Sequence, residues 1–540
     1  MRRPAAAFLA ALPLLLTGFV TAPAQGALPG EAVDVVDMVD VVDGTADGEG
    51  DAAGDGPPPE LAEAQELLLA DAGENTPDGN APQAPDVRED AADVTMVLRD
   101  LFLARPGMDR EDRRLATRLL ARPTVPGTDT WASYDPEQPT AQRCNARICV
   151  TYVTGGNDRA TPAWADQTLA AVDEAWTGQV DRMGYPAPAS DGTAGGDARF
   201  DVYLANISDQ GLYGYCVPEG RVPGQPGKSS SYCVLDNDMV GFSDTPSASL
   251  HVTAVHEFFH AVQFNVDVRE DRWWMEATAT WMEEVLADSV NDNRQFLSAG
   301  QLGRPGVSLD SYSADQAMYG NWIFVQRLAQ SLGQDSIRQI WTRLDSAGRD
   351  EYSVQGIRRY LASRNRSWGK FYARFVESNL SPRRYYDEGR AYRKAPLGRK
   401  LRIQPGRPTR KVSVRVPHLA AHTVQLRAGR ALHPRARLHL RVEAAKGRAA
   451  DPVARVLVHK TDGGLRRFDV RLDRSGRGSR TVGLQRGRIR KIVVVLSNTS
   501  TRYRGCGGPS AWACGGKAVD DDQRFTLTAV ARPAAVVRPA

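Results

Sequence analysis

The pattern of apolar and polar residues between 131 and 390 predicts strands and helices in alternation. Short runs rich in β-branched and aromatic residues have the character of buried strands, at 148–153, 200–204 and 232–235. Two longer stretches, 162–183 and 247–264, carry apolar side chains at the spacing of an amphipathic helix. We therefore expect an α+β domain in which a small mixed sheet packs against helices, and about 260 residues suffice for a core and a cleft.

From residue 398 the pattern changes to short apolar runs that are separated by Gly, Arg and Asp. Evenly spaced runs of this kind are typical of an all-β sandwich. They lie at Val412–Val416, Leu438–Val442, Val453–Val458 and Ile492–Leu496. We expect this second domain to span 398–535.

The first 24 residues have the pattern of a secretory signal peptide. Arg2 and Arg3 precede an apolar run that ends near Val20, and small residues around Ala24 offer a cleavage site. Because Pro13 interrupts a run that is already short, the segment is a poor candidate for a membrane anchor. We therefore expect a secreted, extracellular protein with no membrane span in the mature chain.

Residues 25–95 are acidic and low in complexity. They contain 19 Asp and Glu against a single Arg, and a segment of this composition is expected to remain disordered. Leucines and Phe102 then recur at helical spacing within 96–130. The acidic segment is a candidate propeptide. The helical segment fits a propeptide or linker, and it fits equally well as the first helices of the α+β domain.

The six cysteines fall into three pairs that are close in sequence. Six cysteines permit many pairings, but short loops within separate structural units favour Cys144–Cys149, Cys216–Cys233 and Cys506–Cys514. A structural zinc site with four cysteines is disfavoured, because none of the pairs has CxxC spacing. Disulfides indicate an oxidising compartment, in agreement with secretion.

Candidate metal chemistry appears at residues 256–260, which read His-Glu-Phe-Phe-His. On a helix, His256 and His260 stand one turn apart on the same face, so both imidazoles can reach a single ion. Glu257 projects to the side, where it can take a proton from a metal-bound water without being a ligand. Glu276 is expected to supply a third ligand from the next helix. Three protein ligands leave a fourth position open, as in catalytic zinc sites.

The second helix carries the pattern WxxEATAxWxE, which begins at Trp273. Together with the preceding HEFFHAxQ, it resembles the gluzincin branch of the zinc metallopeptidases, and most closely a set of secreted bacterial metalloprotease-like proteins. The resemblance covers about residues 130–390. It implies a zincin-like fold, Zn²⁺ as the cofactor and Glu276 as its third ligand. It also implies that Ala279 lets the two helices approach and that Glu283 contacts a ligand from outside the centre.

Two features depart from other gluzincins. Thr280 stands where thermolysin-type enzymes have an Asp, and no Gly-x-Met-Glu-Asn motif is present to hold a substrate amine as in the aminopeptidases. Endopeptidase activity is therefore favoured over aminopeptidase activity. Because no histidine lies between 261 and 417, the hydroxyl of Tyr319 is the candidate donor to the oxyanion, with Tyr312 as the nearby alternative. In zincins an edge strand aligns the substrate, and we assign that role to 199–216.

The net charge is only +3, but acidic and basic residues are distributed unevenly between the two ends of the chain. From residue 391 on, 34 Lys and Arg stand against 8 Asp and Glu, which predicts attraction to polyanions. Anionic cell-surface polymers or an acidic matrix are the favoured partners, and the acidic N-terminal segment is a competing partner within the chain. Nucleic acid is not expected, since no recognition motif is present. Structural Ca²⁺ is a further hypothesis, with candidate ligands Asp191, Asp197, Asp201, Asp236, Asp238 and Asp520–Asp522.

These features predict a secreted zinc-dependent metalloendopeptidase. A zinc-activated water would attack the peptide bond of a protein or peptide substrate, with Glu257 as general base and Tyr319 as oxyanion donor. The alternative hypothesis is a non-catalytic cell-surface or matrix-binding protein that acts through the basic β-sandwich. A third hypothesis, hydrolysis of a small ester or amide, fits the same site.

Overall fold

The α+β part of the molecule is built on a five-stranded mixed sheet. The computed structural model describes residues 57–69, 94–127, 130, 132–312, 315–445, 450–508 and 510–532. The predicted signal peptide and most of the acidic segment lie outside these residues. The strands are β1 (Thr140–Cys144), β2 (Ile148–Val153), β3 (Phe200–Ala205), β4 (Gly214–Val222) and β5 (Gln225–Asp236).

The strands of this sheet follow the order β1-β2-β3-β5-β4. β2, β3 and β5 run parallel to one another, whereas β1 and β4 are antiparallel to their neighbours at the two edges. All six residues of β3 are buried, because a central strand is covered on both faces. The mixed sheet expected from the sequence is thus observed.

This strand order corrects the position of the edge that we assigned to 199–216. β3 lies in the centre of the sheet, and its edges belong to β1 and β4. The assigned segment contains only the first three residues of β4. The continuous burial of β3 is the property of a central strand, whereas β4 becomes half-buried beyond Pro218. Apolar runs predict strands, but their order depends on pairing between distant segments.

Helices pack against the sheet and against one another. They are α1 (Pro59–Leu69), α2 (Val94–Ala104), α3 (Arg110–Leu119), α4 (Pro162–Trp176), α5 (Pro246–Asp267), α6 (Arg272–Leu286), α7 (Ala317–Gly320), α8 (Trp322–Leu332), α9 (Asp335–Leu344), α10 (Ser353–Ser363), α11 (Trp368–Asn379) and α12 (Pro382–Tyr385). α5 begins with Pro246, whose fixed φ suits the first turn of a helix. It packs on β4, β5 and α6, with Phe258 and Phe259 almost fully buried.

Part of the acidic segment is helical, which corrects the expectation of disorder for those residues. Leu61, Ala64 and Leu68 lie along one side of α1 and are buried, and α1 packs on α2. The acidic composition of 25–95 hid this local apolar spacing. The helical pattern predicted within 96–130 corresponds to α2 and α3, and α2 is buried along most of its length.

The C-terminal part is all-β, as expected. Its strands are β6 (Arg399–Ile403), β7 (Thr409–Val416), β8 (Ala420–Ala428), β9 (Arg437–Glu443), β10 (Pro452–Lys460), β11 (Leu465–Val470), β12 (Arg477–Gly483), β13 (Ile489–Asn498), β14 (Tyr503–Arg504), β15 (Lys517–Ala518) and β16 (Gln523–Arg532). Two sheets, β11-β10-β13-β8-β6 and β12-β9-β16-β7, enclose one apolar core. Val456 and Val494 of the first sheet share this core with Leu440 and Leu527 of the second.

Three disulfides are present, and they are the three pairs predicted from sequence. They join Cys144 to Cys149, Cys216 to Cys233 and Cys506 to Cys514. The second of them links the edge strand β4 to β5. Within the described residues, no helix is both long and apolar enough to cross a membrane.

The β-sandwich and the α+β part are joined by buried contacts. The hydroxyl of Tyr372 donates to the carbonyl oxygen of Leu419 at 2.6 Å, and Nε1 of Trp368 donates to that of Thr499 at 3.0 Å. Leu419 and Val493 belong to the same apolar core as the helices of the α+β part. The sandwich is therefore an integral part of the compact unit.

A buried ion pair lies at this junction. Nε2 of His418 is 2.7 Å from Oδ1 of Asp310, and both side chains are almost fully buried. Oδ2 of Asp310 also accepts hydrogen bonds from the Tyr503 hydroxyl and the main-chain nitrogen of Ala513. Burial alone would lower the pKa of His418, but the charge and hydrogen bond of Asp310 outweigh it and raise this pKa to about 9.

This ion pair predicts a loss of stability in alkali. Because the folded-state pKa of His418 lies above the unfolded value of about 6.5, the stabilisation is complete below that pH and is lost as pH rises through about 9. Between about pH 6 and pH 10, the free energy of unfolding should fall further in the wild type than in His418→Gln, by on the order of 3 kcal/mol. Denaturant titrations at several pH values measure this difference, and parallel profiles of the two proteins would refute it.

Candidate metal centre

Two neighbouring helices bring the three predicted ligands together. His256 and His260 stand one turn apart on α5, and Glu276 faces them from α6. Oε2 of Glu276 is 3.3 Å from Nε2 of His256, and Oε1 is 3.3 Å from Nε2 of His260. One ligand atom from each of the three residues lies within 4.8 Å of the other two. The side chains of His260 and Glu276 are almost fully buried, whereas that of His256 is 13% exposed.

The other nitrogen of each imidazole is fixed by a second contact. Nδ1 of His256 is 2.7 Å from Oε1 of Glu283, and Nδ1 of His260 is 2.8 Å from Oε1 of Gln263. Both oxygens accept hydrogen bonds, so each Nδ1 carries a proton, and Nε2 is the nitrogen of each ring that faces Glu276 and could bind an ion in its neutral form. Glu283 thus lies in the position that the resemblance implies.

Gln263, the last residue of the HEFFHAxQ pattern, is a site residue to which sequence reasoning gave no role. Its Nε2 donates to the carbonyl oxygen of Met275 at 2.9 Å and to Oγ1 of Thr278 at 3.1 Å. These two bonds leave its oxygen to face His260, and they tie α5 to α6. The available signal was an amide in an apolar helical stretch, one turn after His260, where a buried polar group needs partners.

The donor set fits a cation such as zinc. Nε2 of His260 and Oε1 of Glu276 are buried without a hydrogen bond, although they are 3.3 Å apart. A buried polar atom without a partner is costly, and an ion between these atoms would satisfy both. Two imidazoles and one carboxylate are a ligand set typical of catalytic zinc, with a fourth position left for water or substrate.

Charge interactions at the centre stabilise the ionised form of Glu276, which can serve as a ligand. Burial would raise the pKa of Glu276, but the two imidazoles outweigh it and hold this pKa well below its usual range. Burial would lower the pKa of His256, whereas its hydrogen bonds with Glu276 and Glu283 raise this pKa well above the usual value. Burial raises the pKa of Glu257, and it raises that of Glu283 to about 7. The buried Glu276 is therefore held as an anion by positive charge.

Glu257 lies beside the centre and against the edge strand. It is 8% exposed, and its Oε2 accepts a hydrogen bond from the hydroxyl of Thr95 at 3.2 Å. A Cβ atom added to Gly214 at the start of β4 would lie 3.1 Å from Cγ of Glu257. The close approach of β4 to α5 therefore favours glycine at this position.

The two tyrosines proposed as oxyanion donors lie in different surroundings. The Tyr319 ring lies beside the centre, with its centroid 6.2 Å from that of His256. Tyr312 instead lies under Arg272, whose guanidinium carbon is 4.9 Å from its ring centroid, and its main-chain nitrogen donates to Ala511.

The candidate calcium ligands are engaged by protein donors. Asp191 and Asp201 both pair with the buried guanidinium of Arg122. Asp236 accepts hydrogen bonds from main-chain N–H groups, including that of Ser208, and Asp520 pairs with an arginine. These contacts account for the carboxylates of Asp191, Asp201, Asp236 and Asp520 without an ion, and calcium stays a prediction.

Comparisons with known proteins do not assign the chain to a family. No protein-family model matches it, and no curated protein matches it. Among solved structures it is similar to a pre-peptidase C-terminal domain of a collagenase from Bacillus anthracis, at 8% identity over 26% of this chain and 99% of that one, with a TM-score of 0.15. It is also similar to PliG, a periplasmic inhibitor of g-type lysozyme from Aeromonas hydrophila, at 12% identity over 25% and 98% of the two chains, with a TM-score of 0.14.

A third similar structure is a family GH115 4-O-methyl-α-glucuronidase, at 10% identity over 52% of this chain and 38% of that one, with a TM-score of 0.13. Likenesses at these TM-scores carry no argument about fold or function.

The outer contact of His256 predicts an effect on zinc affinity. Glu283→Gln removes the negative charge next to Nδ1 and should weaken zinc binding by about tenfold or more, as changes to such partners typically do. Glu284→Gln is the matched control, because that neighbouring carboxylate accepts from Asn293 instead. Competition with a chromophoric chelator measures both affinities. Equal affinities in the two variants would show that the contact does not act on the metal.

Proposed function

We propose that the protein is a zinc-dependent metalloendopeptidase that acts outside the cell. The observation that carries this proposal is the convergence of His256, His260 and Glu276, whose ligand atoms lie within 4.8 Å of one another. Glu257 lies beside these three residues, against the edge strand β4. Disulfides are compatible with an extracellular location.

Zinc would be held by Nε2 of His256, Nε2 of His260 and the carboxylate of Glu276. When bound, it would supply Lewis-acid polarisation of a water molecule and of the scissile carbonyl group. The contacts of Glu283 and Gln263 hold the two imidazoles in the orientation that this requires.

The proton is handled by Glu257, which lies next to the ligands but is not one of them. Its carboxylate would accept the proton of the attacking water and then give it to the leaving amine nitrogen. Burial excludes bulk water, which keeps that proton on the path between water and amine. The Tyr319 hydroxyl, on a ring that packs beside His256, would donate to the oxyanion as the carbonyl becomes tetrahedral.

The edge strand β4 supports action on an extended peptide. It pairs with β5 on one side only, and it lies against Glu257 through Gly214. A peptide that pairs with the side of β4 that faces away from β5 would extend beyond Glu257 in both directions. This arrangement favours an endopeptidase over an enzyme that binds a terminal amine.

The role of Glu257 is tested by Glu257→Gln. This variant should keep its zinc, because the residue is not a ligand, and its rate of peptide cleavage should fall by about a hundredfold or more, because general-base catalysis is lost. The readout is cleavage of casein, or self-cleavage of the chain, monitored by mass spectrometry. Metal content is measured on the same sample. Removal of zinc from the wild type by a chelator should lower the rate of peptide cleavage in the same way. A variant that retains full activity would remove Glu257 from the mechanism.

A second function, attachment to anionic polymers, is favoured by one surface of the sandwich. Arg415 lies directly opposite Arg524, and Arg437 lies opposite Arg532 on adjacent strands. Like charges opposite one another destabilise a sheet, and a bound polyanion would relieve this repulsion. This basic face lies on the sheet β12-β9-β16-β7 and consists of Lys411, Arg415, Arg437, Arg441, Arg477, Arg524 and Arg532, all of them exposed.

The basic face predicts salt-dependent binding. The double variant Lys411→Gln and Arg441→Gln should elute from a heparin column at lower salt than the wild type, because fewer counterions are released on binding. Arg143→Gln with Arg338→Gln removes the same charge from the α+β part and is the control. If both double variants elute at the same salt concentration, total charge rather than this face determines binding.

A further inference from the structure

A helix that precedes the sheet in sequence contacts both the candidate base and the edge strand. The hydroxyl of Thr95, in α2, donates to Oε2 of Glu257 at 3.2 Å. Oγ1 of Thr95 in turn accepts a hydrogen bond from the main-chain nitrogen of Cys216 in β4 at 3.0 Å. One buried side chain thus bridges two groups that peptide hydrolysis would require.

The N–H group of Cys216 lies on the side of β4 that a substrate would use. β4 pairs with β5 along its other side, and this N–H is directed to α2 instead of β5. An extended peptide adds to an edge strand through such outward groups. Thr95 therefore occupies a hydrogen-bonding position of the peptide, next to the carboxylate that would accept the water proton.

α2 is also held at its other end. Nη1 of Arg99 donates to the carbonyl oxygen of Glu270 at 2.8 Å and to that of Val268 at 3.3 Å. Asp100 pairs with Arg272 at 3.0 Å. α2 thus spans from the edge strand to the turn between α5 and α6, and eight of its eleven residues are buried.

The ligands and the candidate base have little access to solvent, and the side chain of His256 is the most exposed of them at 13%. The side chain of Glu276 is fully buried, that of His260 is 1% exposed, and Glu257 is 8% exposed. A peptide that pairs with the N–H group of Cys216 would have to displace Thr95, because the Thr95 hydroxyl uses that group.

We propose that this chain is a latent precursor in which α2 blocks the peptide-binding edge and Thr95 holds Glu257. This inference rests on the proposed function and assigns a regulation to the same site. Activation requires hydrolysis of one peptide bond between α2 and α3, in which water is consumed and a carboxylate and an amine are formed. Pro106, Gly107 and Asp109 are exposed in this connection.

Arg122 indicates that the cut falls on its N-terminal side. Its guanidinium pairs with Asp191, Asp201 and Glu219, which are all largely buried. Removal of Arg122 would leave these carboxylates without a counter-charge, which strongly destabilises a fold. A cut within 105–109 releases α1 and α2 but retains α3 and this arginine.

The test uses the full chain with the recognition sequence of a site-specific protease inserted after Gly107. After cleavage and removal of the N-terminal fragment, the rate of hydrolysis of an internally quenched peptide should rise by about tenfold or more, since the competent fraction increases. The control carries the same insertion after Gly79, where cleavage leaves α2 attached to α3. Adding back a synthetic peptide of residues 57–107 should inhibit the cleaved enzyme in competition with substrate.

A second variant covers the case in which cleavage unfolds the protein. Thr95→Val keeps the shape of the side chain but removes both hydrogen bonds, and it should raise the basal rate of the intact chain several-fold. Thr117→Val is its control, because that exposed hydroxyl donates only within α3. Circular dichroism and zinc content verify the fold of each sample.

The outcomes separate the two proposals. If intact and cleaved chains hydrolyse the peptide at equal rates, or if release of α2 abolishes an activity that the intact chain has, latency is refuted and the peptidase proposal stands. If Thr95→Val and Thr117→Val have the same basal rate, Thr95 does not hold the base. If no zinc-loaded form cleaves any peptide, the proposed function fails and latency fails with it.

Discussion

The candidate site depends on one constraint, which is the burial of the Glu276 carboxylate between two imidazoles. An ionised carboxyl group in a protein interior is strongly unfavourable unless positive charge lies next to it. The two histidines of α5 lower the pKa of this carboxyl group, and a cation bound at the atoms that have no hydrogen bond would supply further positive charge. The packing of α5 against α6, including the bonds of Gln263, keeps these groups in place.

Helix α5 carries both the metal ligands and the candidate base, and these side chains lie on different faces of the helix. One face of α5 directs His256 and His260 towards α6, while Glu257 is directed to the edge strand β4 and to Thr95. The metal ligands and the contacts that we propose to block the substrate path can therefore coexist in one structure. After the proposed cut in the connection to α3, α2 would be held by non-covalent contacts alone, so its release would become reversible.

Much of this arrangement is local and was therefore predictable. Two histidines four residues apart on a helix share a face, and apolar spacing predicted the strands and helices around them. The position of β4 at the free edge was not predictable, because strand order depends on pairing between distant segments. The contacts of Thr95 with Glu257 and of Arg122 with Asp201 likewise join segments far apart in sequence. α1 was missed because the acidic composition around it outweighed three apolar positions.

The central claim is that these three residues bind one zinc ion, and X-ray absorption at the zinc K edge tests it most directly. For the zinc-loaded protein, we expect a first shell of nitrogen and oxygen at about 2.0–2.1 Å with the multiple scattering of two imidazoles. In His260→Ala, the contribution of one imidazole should disappear. A shell that contains sulfur, or a spectrum that is the same in the wild type and in His260→Ala, would contradict the account.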